Sequence, residues 1–245
     1  MKTLKLIIIT TVTICITSLL LFGFSSEPDL SSCVNINKTP KIRPDYNNAT
    51  IPPNIAPINF RILPKARDYY VIISSNNDSR IKIKPSSAKV TIPQKSWHNL
   101  LSQNPGNKLK IHIFSSDKKG SWNKYKPLII NIAKEKIDPY LTYRKILPSH
   151  FRHRENGPMK IVQHNLTNLK TKTVLNSRNY KSGCVNCHSP LNQKTDKMTF
   201  GIRSSVYGTS TLLVHNNSVK KINTKFGYSS WHPSGKLIAY STNKL

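Results

Sequence analysis

Short runs in which apolar and polar residues alternate with a period of two restrict the fold more than any other feature of the chain. Ile58, Phe60 and Ile62 share one parity; Ile81 and Ile83 alternate with Arg80, Lys82 and Lys84; Leu109, Ile111 and Ile113 follow, then Leu128, Ile130 and Ile132. Successive side chains of a strand point to opposite faces, so each run reads as a strand with one buried and one solvated face. Tyr70 and Ile72, with Tyr69 and Val71, supply a further strand. The series is interrupted once, over residues 94–103, where Trp97, Leu100 and Leu101 fall on one side of a helix that Pro105-Gly106 stops. His98 on that helix reads as a solvent-facing residue, Tyr69, Trp122 and Tyr125 read as core or rim aromatics, and residues 117–120 make a turn. The fold class is therefore mainly β, with residues 55–146 forming a β-sandwich of fibronectin-like or immunoglobulin-like size that has no disulfide.

Two segments precede this domain. Residues 1–24 carry Lys2 and Lys5 followed by an uncharged, Ile-, Leu-, Val- and Thr-rich run over 6–24, which is an export signal or a membrane anchor. Leu30-Ser31-Ser32-Cys33 has the small-residue character of a lipoprotein cleavage site, which makes Cys33 a candidate for lipid attachment, although polar residues separate it from the apolar run. Residues 25–54 read as a linker, because Pro40, Pro44, Pro52 and Pro53 oppose regular structure.

The chemistry lies further along, in Cys184-Val185-Asn186-Cys187-His188. In C-x-x-C-H, two thiols about one helical turn apart add to the two vinyl groups of a c-type haem, and the next residue delivers an imidazole to the iron. Cys184 and Cys187 are thus the candidate covalent haem attachments and His188 the proximal iron ligand. A structural zinc site would need two more ligands, while the other cysteines, Cys15 and Cys33, lie in or beside the N-terminal segment. A thioredoxin-like dithiol would need a strand-to-helix setting that the polar residues 176–183 do not offer, and a Cys184–Cys187 disulfide would leave His188 without a role. Residues 147–197 are accordingly read as a haem-binding segment with short helices. For the sixth ligand the sequence offers several candidates: His164 and Met198 first, His232 next, and His150 and His153 on the stretch that leads into the motif.

The net charge of +28, from 38 Lys and Arg against 10 Asp and Glu, invites a nucleic-acid reading. The cations are scattered instead of forming a run or a helix stripe, and no nucleic-acid motif accompanies them. Solvated faces of a Lys- and Asn-rich chain account for them; attraction to anionic lipid or to an acidic redox partner is the functional alternative.

Beyond the motif the strand pattern resumes over 198–203, 211–215 and 219–223, the last two joined by an Asn216-Asn217 turn suited to a tight hairpin. Trp231-His232-Pro233-Ser234-Gly235 then precedes Ile238-Ala239-Tyr240, a phrase that resembles the blade opening of the PD40 repeats in TolB-like β-propellers. Together with residues 51–62 (Ile-Pro-Pro-Asn-Ile-Ala-Pro-Ile-Asn-Phe-Arg-Ile), residues 137–144 (Ile-Asp-Pro-Tyr-Leu-Thr-Tyr-Arg), the Cys184 to His188 motif and Asp196-Lys197-Met198, it makes the chain resemble a family of exported bacterial proteins, common in Bacteroidetes. These join an N-terminal β-domain to a C-x-x-C-H segment and a TolB-like propeller. The resemblance implies a cell-envelope location, haem c attached outside the cytoplasmic membrane, and partial propeller blades over 198–245. The chain reaches Leu245 after little more than one blade, so it is expected to be a shortened form. The expected activity is one-electron transfer at the envelope to a redox partner or envelope protein, with membrane association through the N-terminus and no nucleic acid. A TolB-like scaffold or binding module with structural haem is the alternative, and an enzyme acting at an open haem position a third.

Overall fold

The computed structural model describes residues 27–76, 79–146, 159–222 and 226–242. The expected signal or anchor over 1–24, together with His150 and His153, lies outside the described residues. Among them the chain is mainly β: nineteen strands, one α-helix and two short 3-10 turns.

A seven-stranded sheet and a three-stranded sheet enclose the N-terminal core. At the centre of the larger sheet is β8 (Lys108–Ser116). On one side it pairs antiparallel with β5 (Tyr69–Ser74), which carries β6 (Arg80–Ile83) on its outer edge. Its other side is shared by β9 (Trp122–Tyr125) and β10 (Leu128–Ile132). The smaller sheet is β2 (Ile42–Arg43), β4 (Phe60–Ile62) and β7 (Lys89–Val90). The alternation read from sequence is what fills the space between them: Leu109, Ile111, Ile113, Leu128, Ile130 and Ile132 point inward with Phe60, Ile62 and Val90, all essentially without solvent contact. Each such side chain contributes roughly 1.5–3 kcal/mol through burial. The helix α1 (Gln94–Ser102) closes the core with Trp97, Leu100 and Leu101, and the Trp97 indole N–H donates to the Ile55 carbonyl at 3.1 Å. The turn over 117–120 forms as expected, with Asp117 Oδ1 accepting from the N–H groups of Lys119 and Ser121.

The segment 25–54 is not a plain linker. It supplies β1 (Val34–Ile36), parallel to β9, then β2, and β3 (Thr50–Ile51), parallel to β10. Its prolines fall outside these strands, where no ladder N–H is needed, and Ile42 and Ile51 enter the core.

C-terminal to this unit, β11 (Tyr140–Lys145), β12 (Lys160–Asn165) and β13 (Thr171–Asn176) make a three-stranded antiparallel sheet. Then β14 (Cys184–Pro190), β15 (Lys197–Ser204), β16 (Gly208–His215) and β17 (Ser218–Ile222) form a four-stranded meander, followed by the hairpin β18 (Phe226–Trp231) and β19 (Ile238–Thr242). The β16–β17 turn has positive φ at Asn216 and Asn217, 48° and 62°, which is the twist a two-residue hairpin requires. A second core gathers Ile161, Val185, Met198, Phe200 and Ile202 between the two sheets. Within 147–197, expected to carry short helices, the described residues hold the 3-10 turns Ser177–Tyr180 and Leu191–Gln193, and they also hold strands: β12, β13 and β14, the first strand of the four-stranded sheet, on which the C-x-x-C-H residues lie.

Candidate functional site

Val185 is 1% exposed and faces the second core, so alternation turns Cys184 and Asn186 to the opposite face of β14. There they sit across from Arg203 and Gly201 of β15. In a regular strand Cys187 would point back toward the core. The register breaks between Asn186 and Ser189, and Cys187 takes a φ of 54°, a left-handed conformation unusual for a residue with a side chain. The bulge swings Cys187 and His188 to the outer side, where Asn186, Cys187, His188 and Arg203 line a cleft of about 320 Å³ closed by Gly227, Tyr228 and Ser229 of β18. The hairpin is held over this face by Trp231, whose indole N–H donates to the Ser189 carbonyl at 2.8 Å, and by Thr199 and Ser229, whose hydroxyl oxygens are 3.3 Å apart.

His188 is half-buried. Burial pushes its imidazole below the ordinary histidine value, a hydrogen bond to the Thr142 backbone pulls the other way, and the nearby Arg144 guanidinium adds to the lowering. The neutral ring, the form that ligates a metal, is therefore the favoured one. Thr142 is itself fixed: its N–H donates to Gln193 Oε1 at 3.0 Å and its hydroxyl to the Gln193 carbonyl at 2.8 Å. The ring stands beside the cleft with the Thr142 backbone close to it. Arg144 Nη1 donates to Asn186 Oδ1 at 2.6 Å, so two guanidinium groups, Arg144 and Arg203, flank the motif.

Cys184 and Cys187 are free thiols, partly exposed, on the side of β14 that carries the cleft. This donor set, two unpaired thiols on one face of β14 with a half-buried imidazole that lines the cleft beside Cys187, fits a covalently attached haem. It differs from the expectation in one respect: the thiols are presented by a bulged strand and not by a helical turn. Among the described residues no three His, Cys, Asp or Glu side chains gather as a metal cluster.

Among the described residues, none of the candidate sixth ligands lines the cleft. Met198 has no solvent exposure and packs with Val185, Phe200 and Ile202 on the other face of the sheet. His164 follows Gln163, whose amide donates to the Gln193 carbonyl at 3.1 Å, so alternation points His164 away, where Nδ1 lies 2.7 Å from Thr171 Oγ1. His232 is exposed in the turn before β19, and its Nδ1 accepts from the Ser234 N–H at 3.2 Å. Cys33, the lipidation candidate, is partly buried immediately before β1. Arg203, Thr142, Gln193 and Tyr228 were not singled out by sequence reading, and only the strand register makes them neighbours of the motif.

No protein-family model matches the chain, and no curated protein matches it in sequence.

Proposed function

We propose that the chain is an exported monohaem c-type protein that passes single electrons at the cell envelope. The observation that supports the reading is the C-x-x-C-H sequence set on a bulged strand, with Cys187 and His188 lining a cleft. Cys184 and Cys187 would hold the porphyrin and His188 the iron, and bound haem would supply a reversible one-electron couple. The protein's own residues do the rest. Thr142 and Gln193 tie the turn after β14 to β11 beside the imidazole, β18 limits water at the cleft, and Arg144 and Arg203 place positive charge beside the site, which favours the reduced over the oxidised state. A location in the envelope, with attachment through the N-terminal run or through Cys33, belongs to the same proposal.

A second reading is a TolB-like envelope scaffold with structural haem. It is favoured by the four-stranded meander β14–β17, which has the strand count of one propeller blade, and by the hairpin that follows as the opening of the next. The test of the first step is common to both: protein matured with a c-type biogenesis system should gain the mass of one haem and give a pyridine haemochrome spectrum, and Cys187→Ala should lose the full addition. A mass without haem would sink both readings. A reversible redox wave with rapid electron exchange supports the first; haem that exchanges electrons only slowly supports the scaffold.

A further inference from the structure

The outward face of the N-terminal sheet is cationic in a way its inward face cannot be. The strands β5, β6 and β8 contain no Asp or Glu. Their outward positions, with those of β9, bring Arg80, Lys82, Lys108, Lys110 and Lys124 onto one surface, and Lys84 follows one residue beyond the end of β6. Register confirms the grouping: Ser74 pairs with both Arg80 and Lys110, Ile72 with both Lys82 and His112, and Phe114 with Lys124. All but Lys124 are exposed. In the middle, half-buried His112 is pushed below the ordinary histidine value by burial and then by Lys124, Lys110 and Arg80. Among the described residues, the acid recorded against these cations is Glu27, whose carboxylate oxygens lie 2.8 and 2.7 Å from Lys82 Nζ. Uncompensated like charge on one sheet costs stability unless an anionic surface meets it.

Glu27 also gives the direction of that surface. It follows the uncharged run 6–24 by three residues, and three residues of chain reach at most about 11 Å. That is close to the screening length at physiological salt, roughly 8 Å. A bilayer that held the apolar run would therefore have its headgroups within electrostatic range of the surface on which Glu27 rests.

We propose that the cationic end of the β5–β6–β8 face, where Arg80, Lys82, Lys108 and Lys110 are exposed, is a docking surface for the headgroups of an anionic phospholipid membrane. The partner is lipid and not nucleic acid or an acidic protein because the same residue, Glu27, ties the face to the only apolar run in the chain long enough to enter a bilayer. The proposal goes beyond haem binding and needs no haem.

The test uses the full chain reconstituted into vesicles of phosphatidylcholine alone or mixed with phosphatidylglycerol, with lysine acylation rates read by peptide mass spectrometry. On anionic vesicles at low salt, Lys84, Lys108 and Lys110 should react several-fold more slowly than on neutral ones, with the rates restored at about 0.5 M salt. Lys220 and Lys221 on β17 should react alike on both. A triple variant, Lys84→Gln, Lys108→Gln and Lys110→Gln, changes only exposed side chains; because each cation near such a surface contributes about fivefold, it should weaken the contact on the order of a hundredfold and free Lys124 to react. Equal rates on the two vesicle types, equal protection of Lys220 and Lys221, or protection of Lys124 that survives in the triple variant would each overturn the proposal. So would protection by soluble polyglutamate but not by vesicles, which would assign the face to an acidic protein. A chain that fails here and still gains haem mass loses only this proposal.

Discussion

Met198 distinguishes a core residue from an iron ligand, and its two substitutions predict different things. The side chain is fully buried among Val185, Phe200, Ile202 and Ile161, three of them on the same pair of strands and the fourth on β12. Met198→Ala removes three heavy atoms from a site whose walls are fixed by ladders on both sides of β15, so little collapse is available and the loss should fall in the range of about 2–5 kcal/mol. Met198→Leu keeps volume and branching within what such a core tolerates and should cost less than about 1.5 kcal/mol. Urea unfolding, followed by circular dichroism and by hydrogen exchange over β14–β16, measures both. In haem-loaded protein the optical spectrum is read in parallel, because ligation by sulfur has its own charge-transfer band. The structure predicts a large stability loss for Ala, a small one for Leu, and no spectral change for Leu. Loss of a sulfur band in Met198→Leu at unchanged stability would refute the reasoning, since it would require Met198 to leave the core and reach the far face of its own sheet.

Three further outcomes follow from the same geometry. Gly183→Ala should destabilise the start of β14 by more than about 2 kcal/mol and lower the yield of folded protein, because the new Cβ would lie 2.5 Å from the Arg203 carbonyl oxygen and 2.9 Å from Ser204 Cβ. Trp231→Phe removes the bond to the Ser189 carbonyl and weakens the contact of Lys197 Nζ with the ring, 5.3 Å from its centroid; exchange of β18 and β19 amides should accelerate by one to two orders of magnitude while β8 and β10 stay protected. His112, whose folded-state value lies below the ordinary 6.5, binds its proton more readily when unfolded, so its contribution to stability is present above 6.5 and is lost as pH falls from there toward the folded value. In His112→Gln the urea midpoint should fall less steeply over that interval than in the parent, and parallel curves would show that His112 is not responsible.

The core of the larger sheet could be read from sequence because period-two alternation is a local signal that burial merely enforces: Leu109, Ile111 and Ile113 announced their own orientation. The strands at 34–51 could not, because β1, β2 and β3 are two or three residues long and owe their conformation to β9, β4 and β10, far away in the chain. Prolines between them suggested a linker, yet a proline between strands costs no ladder bond. The motif at 184–188 was legible as chemistry but not as geometry. Nothing local in Cys-Val-Asn-Cys-His indicates a strand with a bulge; Val185 is drawn into a core built by Ile161 and Phe200, and the bulge resolves the conflict between burying Val185 and exposing both thiols.

That conflict also explains why the imidazole depends on a second sheet. A bulged residue has lost its ladder partners, so β14 alone cannot fix the direction of His188. Gln193 supplies what is missing: its carbonyl accepts from Thr142 Oγ1 and from Gln163 Nε2, and its side-chain oxygen accepts from the Thr142 N–H, which locks the turn after β14 to neighbouring residues of β11 and β12. Thr142 is 7% exposed, so these bonds form out of water and losing one leaves a buried polar group unpaired, a cost of about 1–3 kcal/mol. The clamp and the histidine share the Thr142 backbone. Thr142 therefore joins β11 to the turn after β14 at the point where its backbone also faces the His188 ring, so the two C-terminal sheets meet beside the imidazole.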